Sequence, residues 1–189
     1  AGGNILTLNA GDGVDSLTVT PPTNVPLIQL SDTTVALGTD PAAAVDLGVV
    51  TLTGLVGETA TLTGTGSTTF DVTGSTATAT INGDAGGTNT LRGPNRDVTW
   101  NVAAGTVDTF TYTNIDNLVG GTGDDLFVFA DGDMVASVDG GTGANTLDLS
   151  ATTGALTVAL TLDGTAVGFS GTAGTLAGTF DNITRIDSG

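Results

Sequence analysis

Two nine-residue stretches hold the densest chemistry in this chain. GGTGDDLFV runs from Gly120 to Val128, and GGTGANTLD from Gly140 to Asp148. Glycine tolerates positive φ, so such a turn can bend sharply enough for carbonyl oxygens to converge. An Asp or Asn at the exit adds a side-chain oxygen, and the apolar residue two places on starts a strand. Shorter relatives stand at AGDGVDSLT (Ala10 to Thr18) and DAGGTNTLR (Asp84 to Arg92). All share glycine, any residue, Asp or Asn, any residue, then Leu or Phe. Carboxylate and carbonyl oxygens are hard donors, the set that calcium prefers.

The rest of the composition narrows the chemistry further. The net charge is −17, from 20 acidic residues against three arginines, and histidine and cysteine are absent. Nucleophile–histidine catalysis is excluded, and so are disulfides and the usual zinc ligands. No lysine is present, so neither a Schiff base nor a phosphate loop can form. The charge repels nucleic acid and anionic membranes and attracts divalent cations. No apolar run is long enough for a membrane-spanning helix. Two aspartates could still do acid–base work on a glycan. An acidic surface with three arginines suits anionic polysaccharide poorly, so the chain reads as no enzyme.

The elements that must carry these turns are strands. An apolar residue, a polar one and glycine recur at Leu52-Thr53-Gly54, Leu62-Thr63-Gly64, Val72-Thr73-Gly74, Ile81-Asn82-Gly83 and Leu91-Arg92-Gly93. Each step suits a short strand and a glycine turn, and two or three steps make one solenoid rung. The expected fold is an all-β solenoid, a right-handed parallel β-helix with glycine/aspartate turns. Its core positions include Leu6, Leu8, Leu17, Leu62, Val72, Ile81, Leu91, Phe127 and Leu147. Residues 21–48 break the pattern. Pro21, Pro22 and Pro26 mark a loop, and Asp40, Pro41 and Gly48 suit the cap, first position and end of a helical turn. The C-terminal NITRIDSG, written before the N-terminal AGGNILTL, aligns without a gap to the internal NIDNLVGGTGDDLFVF. Residues 1–189 thus read as one solenoid segment, a single repeat of a longer tandem array or polymer.

GGTGDDLFV resembles the nonapeptide of RTX, or hemolysin-type calcium-binding, repeats, found also in giant bacterial surface and adhesin proteins. The segments Gly93 to Val102 and Phe110 to Gly121 are similar to parts of such proteins. The resemblance covers mainly residues 84–150 and both termini. It implies calcium as a cofactor, folding outside the cell or on its surface, and β-roll or β-helix coils. By position Asp125 leads the candidate ligands. Asp139 stands before the second motif. Asp124 and Asp15 come next, then the pair Asp131 and Asp133. Asn145 and Asn4 occupy the aspartate position of their own turns, where an amide is a weaker ligand. The full motifs are isolated and offset by 20 residues, unlike the contiguous nonapeptides of that family. Glycine turns and Asn side chains could therefore hold some rungs without metal.

The expected function is a structural element of an extracellular filament or cell-surface layer. Its partners would be copies of itself or tandem repeats, head to tail, because uncapped solenoid ends expose sheet edges. The alternative is an adhesin stalk that binds a glycan or ice, and a remote one is a polysaccharide-active β-helix enzyme. Thr-any-Thr pairs at Thr51/Thr53, Thr61/Thr63, Thr76/Thr78 and Thr78/Thr80 would make an ice-binding ladder if stacked. Their uneven spacing argues against a common register, and threonine suits any half-exposed strand. Trp100, Phe110 and Tyr112 read as packing residues before a carbohydrate platform. Asn182-Ile183-Thr184 has the form of a glycosylation sequon.

Overall fold

The structure, a computed structural model, describes the strands at 4–9, 16–19, 27–30, 34–38 and 48–53, and residues 59–189 except 65, 175 and 177. Side-chain burial is described from Ala60 onward. The strands are β1 (Asn4–Asn9), β2 (Ser16–Val19), β3 (Leu27–Leu30), β4 (Thr34–Gly38), β5 (Gly48–Thr53), β6 (Thr59–Thr63), β7 (Thr69–Asp71), β8 (Thr78–Asn82), β9 (Thr90–Arg92) and β10 (Thr99–Asn101). Then come β11 (Thr106–Val107), β12 (Phe110–Thr113), β13 (Asn117–Val119), β14 (Leu126–Ala130), β15 (Ser137–Asp139), β16 (Thr146–Ala151), β17 (Val158–Asp163), β18 (Phe169–Ala173), β19 (Thr179–Ile183) and β20 (Arg185–Ser188). Among the described residues there is no helix. The strands belong to two mixed sheets, and neither closes into a barrel.

The chain divides into two compact units, Ala1–Arg92 with Thr109–Ile115, and Gly93–Asp108 with Asp116–Gly189. In the first unit β2, β6, β8 and β12 pair in parallel as one sheet layer. The other layer runs β1-β5-β4-β3-β7-β9, with β3, β4 and β5 antiparallel to one another in sequence. From β6 to β9 the chain alternates between layers, so parallel neighbours are separated by a strand on the opposite side. The second unit repeats the plan. β10, β14, β16 and β20 are parallel in one layer, with β11 antiparallel to β10. In the other layer β13, β15 and β19 are parallel, followed by the antiparallel strands β18 and β17. β3 and β4 fall inside the segment 21–48. The helical turn expected from Asp40 and Pro41 lies outside the described residues.

Strict alternation drives this arrangement. In β8, Ala79 and Ile81 are buried while Thr78, Thr80 and Asn82 are not, and in β12 Phe110 and Tyr112 are buried beneath Thr111 and Thr113. β14 does the same with Phe127 and Phe129. Each large apolar side chain removed from water contributes about 1.5–3 kcal/mol. A one-residue slip would turn every one of them outward, so the register is strongly specified. The expected core residues Leu62, Val72, Ile81, Leu91, Phe127 and Leu147 are all at 0% exposure. Leu6, Leu8 and Leu17 have side chains outside the described set. Trp100 is fully buried and stacks on Phe127, with ring centroids 5.4 Å apart. That makes it core and not a platform for sugar. Its ring lies against Gly93, where a Cβ would strike the indole.

Candidate functional site

In the second unit the chain passes between layers three times through equivalent corners, before β10, β14 and β16. Each corner ends in two residues with opposite jobs: Asp97-Val98, Asp124-Asp125 and Ala144-Asn145. The first of each pair is exposed and the second buried. Asp97 Oδ1 accepts from the next corner's Asp124 N–H at 2.8 Å, and Asp124 Oδ1 accepts from Ala144 N–H at 2.7 Å. The buried members reach the other way. Asp125 Oδ1 accepts from Val98 N–H at 3.3 Å, and Asn145 Oδ1 accepts from Asp125 N–H at 3.0 Å. Outer side chains thus reach forward and inner ones back, so each corner is tied twice to its neighbour. Buried amides need such partners, and short Asx side chains reach nearby backbone well.

Asn145 and Asp125 differ in one respect that matters. Asn145 Nδ2 donates to the carbonyl of Asn182 at 3.0 Å, and both groups crowd the space above Gly140. Above Gly120 the crowding groups are Asp125 Oδ2 and the Gly140 carbonyl. An acid oxygen therefore stands where the next corner has an amide nitrogen. Neither glycine has room for a Cβ, which explains the residue type without appeal to φ. Asp125 Oδ2 also accepts from Gly121 N–H at 3.0 Å. In the next corner that task falls to Asp139, whose Oδ1 accepts from Gly141 N–H at 2.9 Å. Asp125 alone does what Asn145 and Asp139 share. It is 1% exposed, and burial pushes its carboxyl up to about 6, helped by the charges of Asp97 and Asp124 and opposed by the Gly121 and Val98 amides.

The first unit builds the same two-way corner mainly from neutral groups, with one outer carboxylate, Asp84, whose Oδ2 accepts from Gly66 N–H at 2.8 Å and Oδ1 from Gly86 N–H at 3.0 Å. Asn89 Oδ1 accepts from Thr68 N–H at 3.2 Å, and Asn89 Nδ2 donates to Asn114 O at 2.9 Å. On the outer side Ser67 Oγ accepts from Thr88 N–H at 3.0 Å. Asn89, Asp125 and Asn145 are the Asp/Asn of the shared sequence motif, so that motif marks the inner corner position. Both stacks end on an Asn with positive φ, Asn114 at 54° and Asn182 at 55°. These are the two residues that the end-to-end alignment superposes.

Of the eight candidate ligands, the structure brings Asp124, Asp125, Asn145 and Asp139 to one stack of corners. Asp139 Oδ1 also accepts from Asn182 Nδ2 at 2.7 Å. Asp131 and Asp133 lie in the turn after β14. There Thr153 donates from hydroxyl and amide to Asp131 and holds its carboxyl below the ordinary range. Asp133 Oδ2 accepts from Ala130 N–H at 2.7 Å. Asp15 lies outside the described residues, and Asn4 belongs to β1 with its side chain undescribed. Asp97 is the residue that sequence reading missed. Its signal was available, since Asp97-Val98 precedes β10 as Asp124-Asp125 precedes β14. Among the described residues no group of three or more acidic side chains is placed to share one metal ion. Asp97 and Asp124 offer exposed hard oxygens that fit calcium's chemistry, while Asp125 turns both oxygens to backbone amides. Asn182 is 2% exposed and its Oδ1 accepts from Ala166 and Val167 N–H, so the sequon is closed in the folded chain.

A second feature lies on the first unit. Backbone pairing sets Thr61 beside Thr80 and Thr80 beside Thr111, with Thr63, Asn82 and Thr113 in the next row. The four pairs named from the sequence keep no single register, since Thr51 and Thr53 lie in β5 of the other layer and Thr76 precedes β8, but the row Thr61, Thr80 and Thr111 is in register. Buried side chains fix the pairing, and the loops between strands absorb the differences in length.

Comparison with family models, curated proteins and solved structures finds no match.

Proposed function

We propose that the chain is a β-solenoid segment, coiled in the right-handed sense, that serves as a structural element of an extracellular filament or surface layer. The observation that carries this reading is the corner stack, in which Asp97-Val98 offers Asp124-Asp125 an acceptor and a donor, and Asp124-Asp125 does the same for Ala144-Asn145. Asn or Asp positions in register are a means by which stacked strands extend. Its edges support the same reading. In the second unit one layer ends on β20, which pairs with β16, and the other on β17, which pairs with β18. β17 is exposed along its whole length and carries Leu160 and Leu162 at 56% and 73% exposure, with Phe169 of β18 at 46%. An open apolar edge strand is a pairing site for another chain. The partner in this reading is a further copy, head to tail.

Calcium belongs to the proposal as a ligand of the outer corner carboxylates, Asp124 with Asp97, where a divalent charge would offset their repulsion. The test is light scattering and electron microscopy over a concentration series, in calcium and in chelator. Growing rods are expected, with Leu162→Lys shortening them. Compact monomers in every condition would end the proposal. Isothermal titration with calcium reads the second part separately, and Asp97→Ser with Asp124→Ser should remove the heat.

A further inference from the structure

The outward face of β6, β8 and β12 is a regular array of small polar groups. Thr61, Thr80 and Thr111 form one row and Thr63, Asn82 and Thr113 another. Thr111 Oγ1 lies 3.2 Å from Thr80 Oγ1, and Thr113 Oγ1 donates to Asn82 Oδ1 at 2.8 Å. Thr78, Thr111 and Thr113 are exposed, and Thr61, Thr63, Thr80 and Asn82 half-buried. In backbone register, β2 continues the pattern, with Thr18 beside Thr61. Neighbours within a row repeat across the strands at about 4.8 Å, and the two rows are about 6.7 Å apart along each strand. These strands contain no charged residue, in a chain of net charge −17.

We propose that this face binds ice. A rigid lattice of groups that both donate and accept, spaced with methyls, is complementary to an uncharged crystal whose surface oxygens repeat on a comparable scale. Other occupants fit less well. Sugars are usually met by exposed aromatic faces, and the aromatics of these strands, Phe110 and Tyr112, are buried. A protein partner would need apolar anchors or opposite charge at the centre of the patch, and the face has neither. Each hydroxyl contact is weak, so the binding comes from repetition in register. The inference goes beyond end-to-end assembly and does not depend on it.

The experiment uses the whole chain. Protein is partitioned during slow growth of ice, and crystal shape and thermal hysteresis are read on single crystals. Thr80→Tyr/Thr111→Tyr breaks the face, and Thr111→Lys brings charge to it with less bulk. Asn101→Tyr, at an exposed position of β10, is the control; circular dichroism and Trp100 fluorescence report the fold. The wild type and the Asn101 variant should enter and shape ice, and the two face variants should be excluded while remaining folded. Should the double variant misfold, the lysine variant decides alone. Exclusion of the wild type from ice overturns the proposal, as does full incorporation of a folded face variant. Retention of the wild type on insoluble cellulose or chitin, with exclusion from ice, would overturn it in favour of a glycan surface.

Discussion

In the first unit the corner stack is held by Thr68 and Asn89 inside and Ser67 and Thr88 outside. In the second it is held by Val98, Asp125 and Asn145 inside and Asp97, Asp124 and Ala144 outside. The hydrogen-bond plan is one and the same, but the charge is not. A hydroxyl or an amide satisfies the neighbouring N–H without cost in repulsion. A carboxylate accepts more strongly, yet stacking three of them raises the price of ionisation. The first corner carries a single carboxylate, Asp84, which the Gly86 and Gly66 amides hold below the ordinary range, so its contribution is lost only in acid. The second stacks three and should respond to cations and, through Asp125, in the opposite sense to pH.

The largest effect should come from filling the space that both stacks require. Gly83→Ala would drive a Cβ against Asn114 O and the Asn89 amide, and Gly140→Ala against Asn182 O and the Asn145 amide. Each should cost on the order of 3 kcal/mol, as overpacking against backbone does. Urea denaturation reads it, and equal losses at the two sites would confirm that the corners are mechanically alike.

Asn145→Ala comes next. It removes the acceptor of the Asp125 N–H and the donor to Asn182 O, and a buried group stripped of its partner costs about 1–3 kcal/mol. Asn89→Ala should cost a similar amount in the first unit. Amide exchange should quicken at Asp125 in the one variant and at Thr68 in the other. Unchanged exchange at both would mean that the side chains do not tie the corners.

The effect spread over the widest pH range, and so the smallest at any one pH step, is the most diagnostic, and it is read in chelator so that only protons act. Burial pushes the Asp125 carboxyl up to about 6 in the folded chain, against 3.8 for the free residue. Because the folded value is the higher, protonation favours the folded state. The contribution is full below about 3.8 and is lost as pH rises through about 6. Its ceiling is on the order of 3 kcal/mol. Asp125→Asn should abolish this fall, at the expense of the acceptor for Gly121 N–H. Adding Val119→Asp, in register with Asp139, should restore that acceptor and give the more stable of the two proteins. A stability–pH curve that keeps its slope in Asp125→Asn would place the titration elsewhere.

Much of this was legible in the chain. The alternation that buries Leu62, Ile81, Phe127 and Leu147 is a period-two signal, and strands follow from it. The motif marked the inner corner at each of its described occurrences, Asn89, Asp125 and Asn145. Its chemistry was harder to read, because the same side chain serves as a metal ligand when turned out and as a backbone partner when turned in. Asp97 escaped notice because its corner has valine at the motif position. The threonine rows escaped because loops of unequal length hide a shared register.

The sequence by itself determined the strand-and-turn grammar, the acidic charge and the absence of histidine, lysine and cysteine chemistry, since these depend only on residue type and local period. Tertiary structure alone decided that Asp125 faces inward, that Asp97 and Asp124 share an outer edge, and that Thr61, Thr80 and Thr111 line up. Those relations join residues distant in the chain, and pairing between strands, set by what must be buried, is what brings them together.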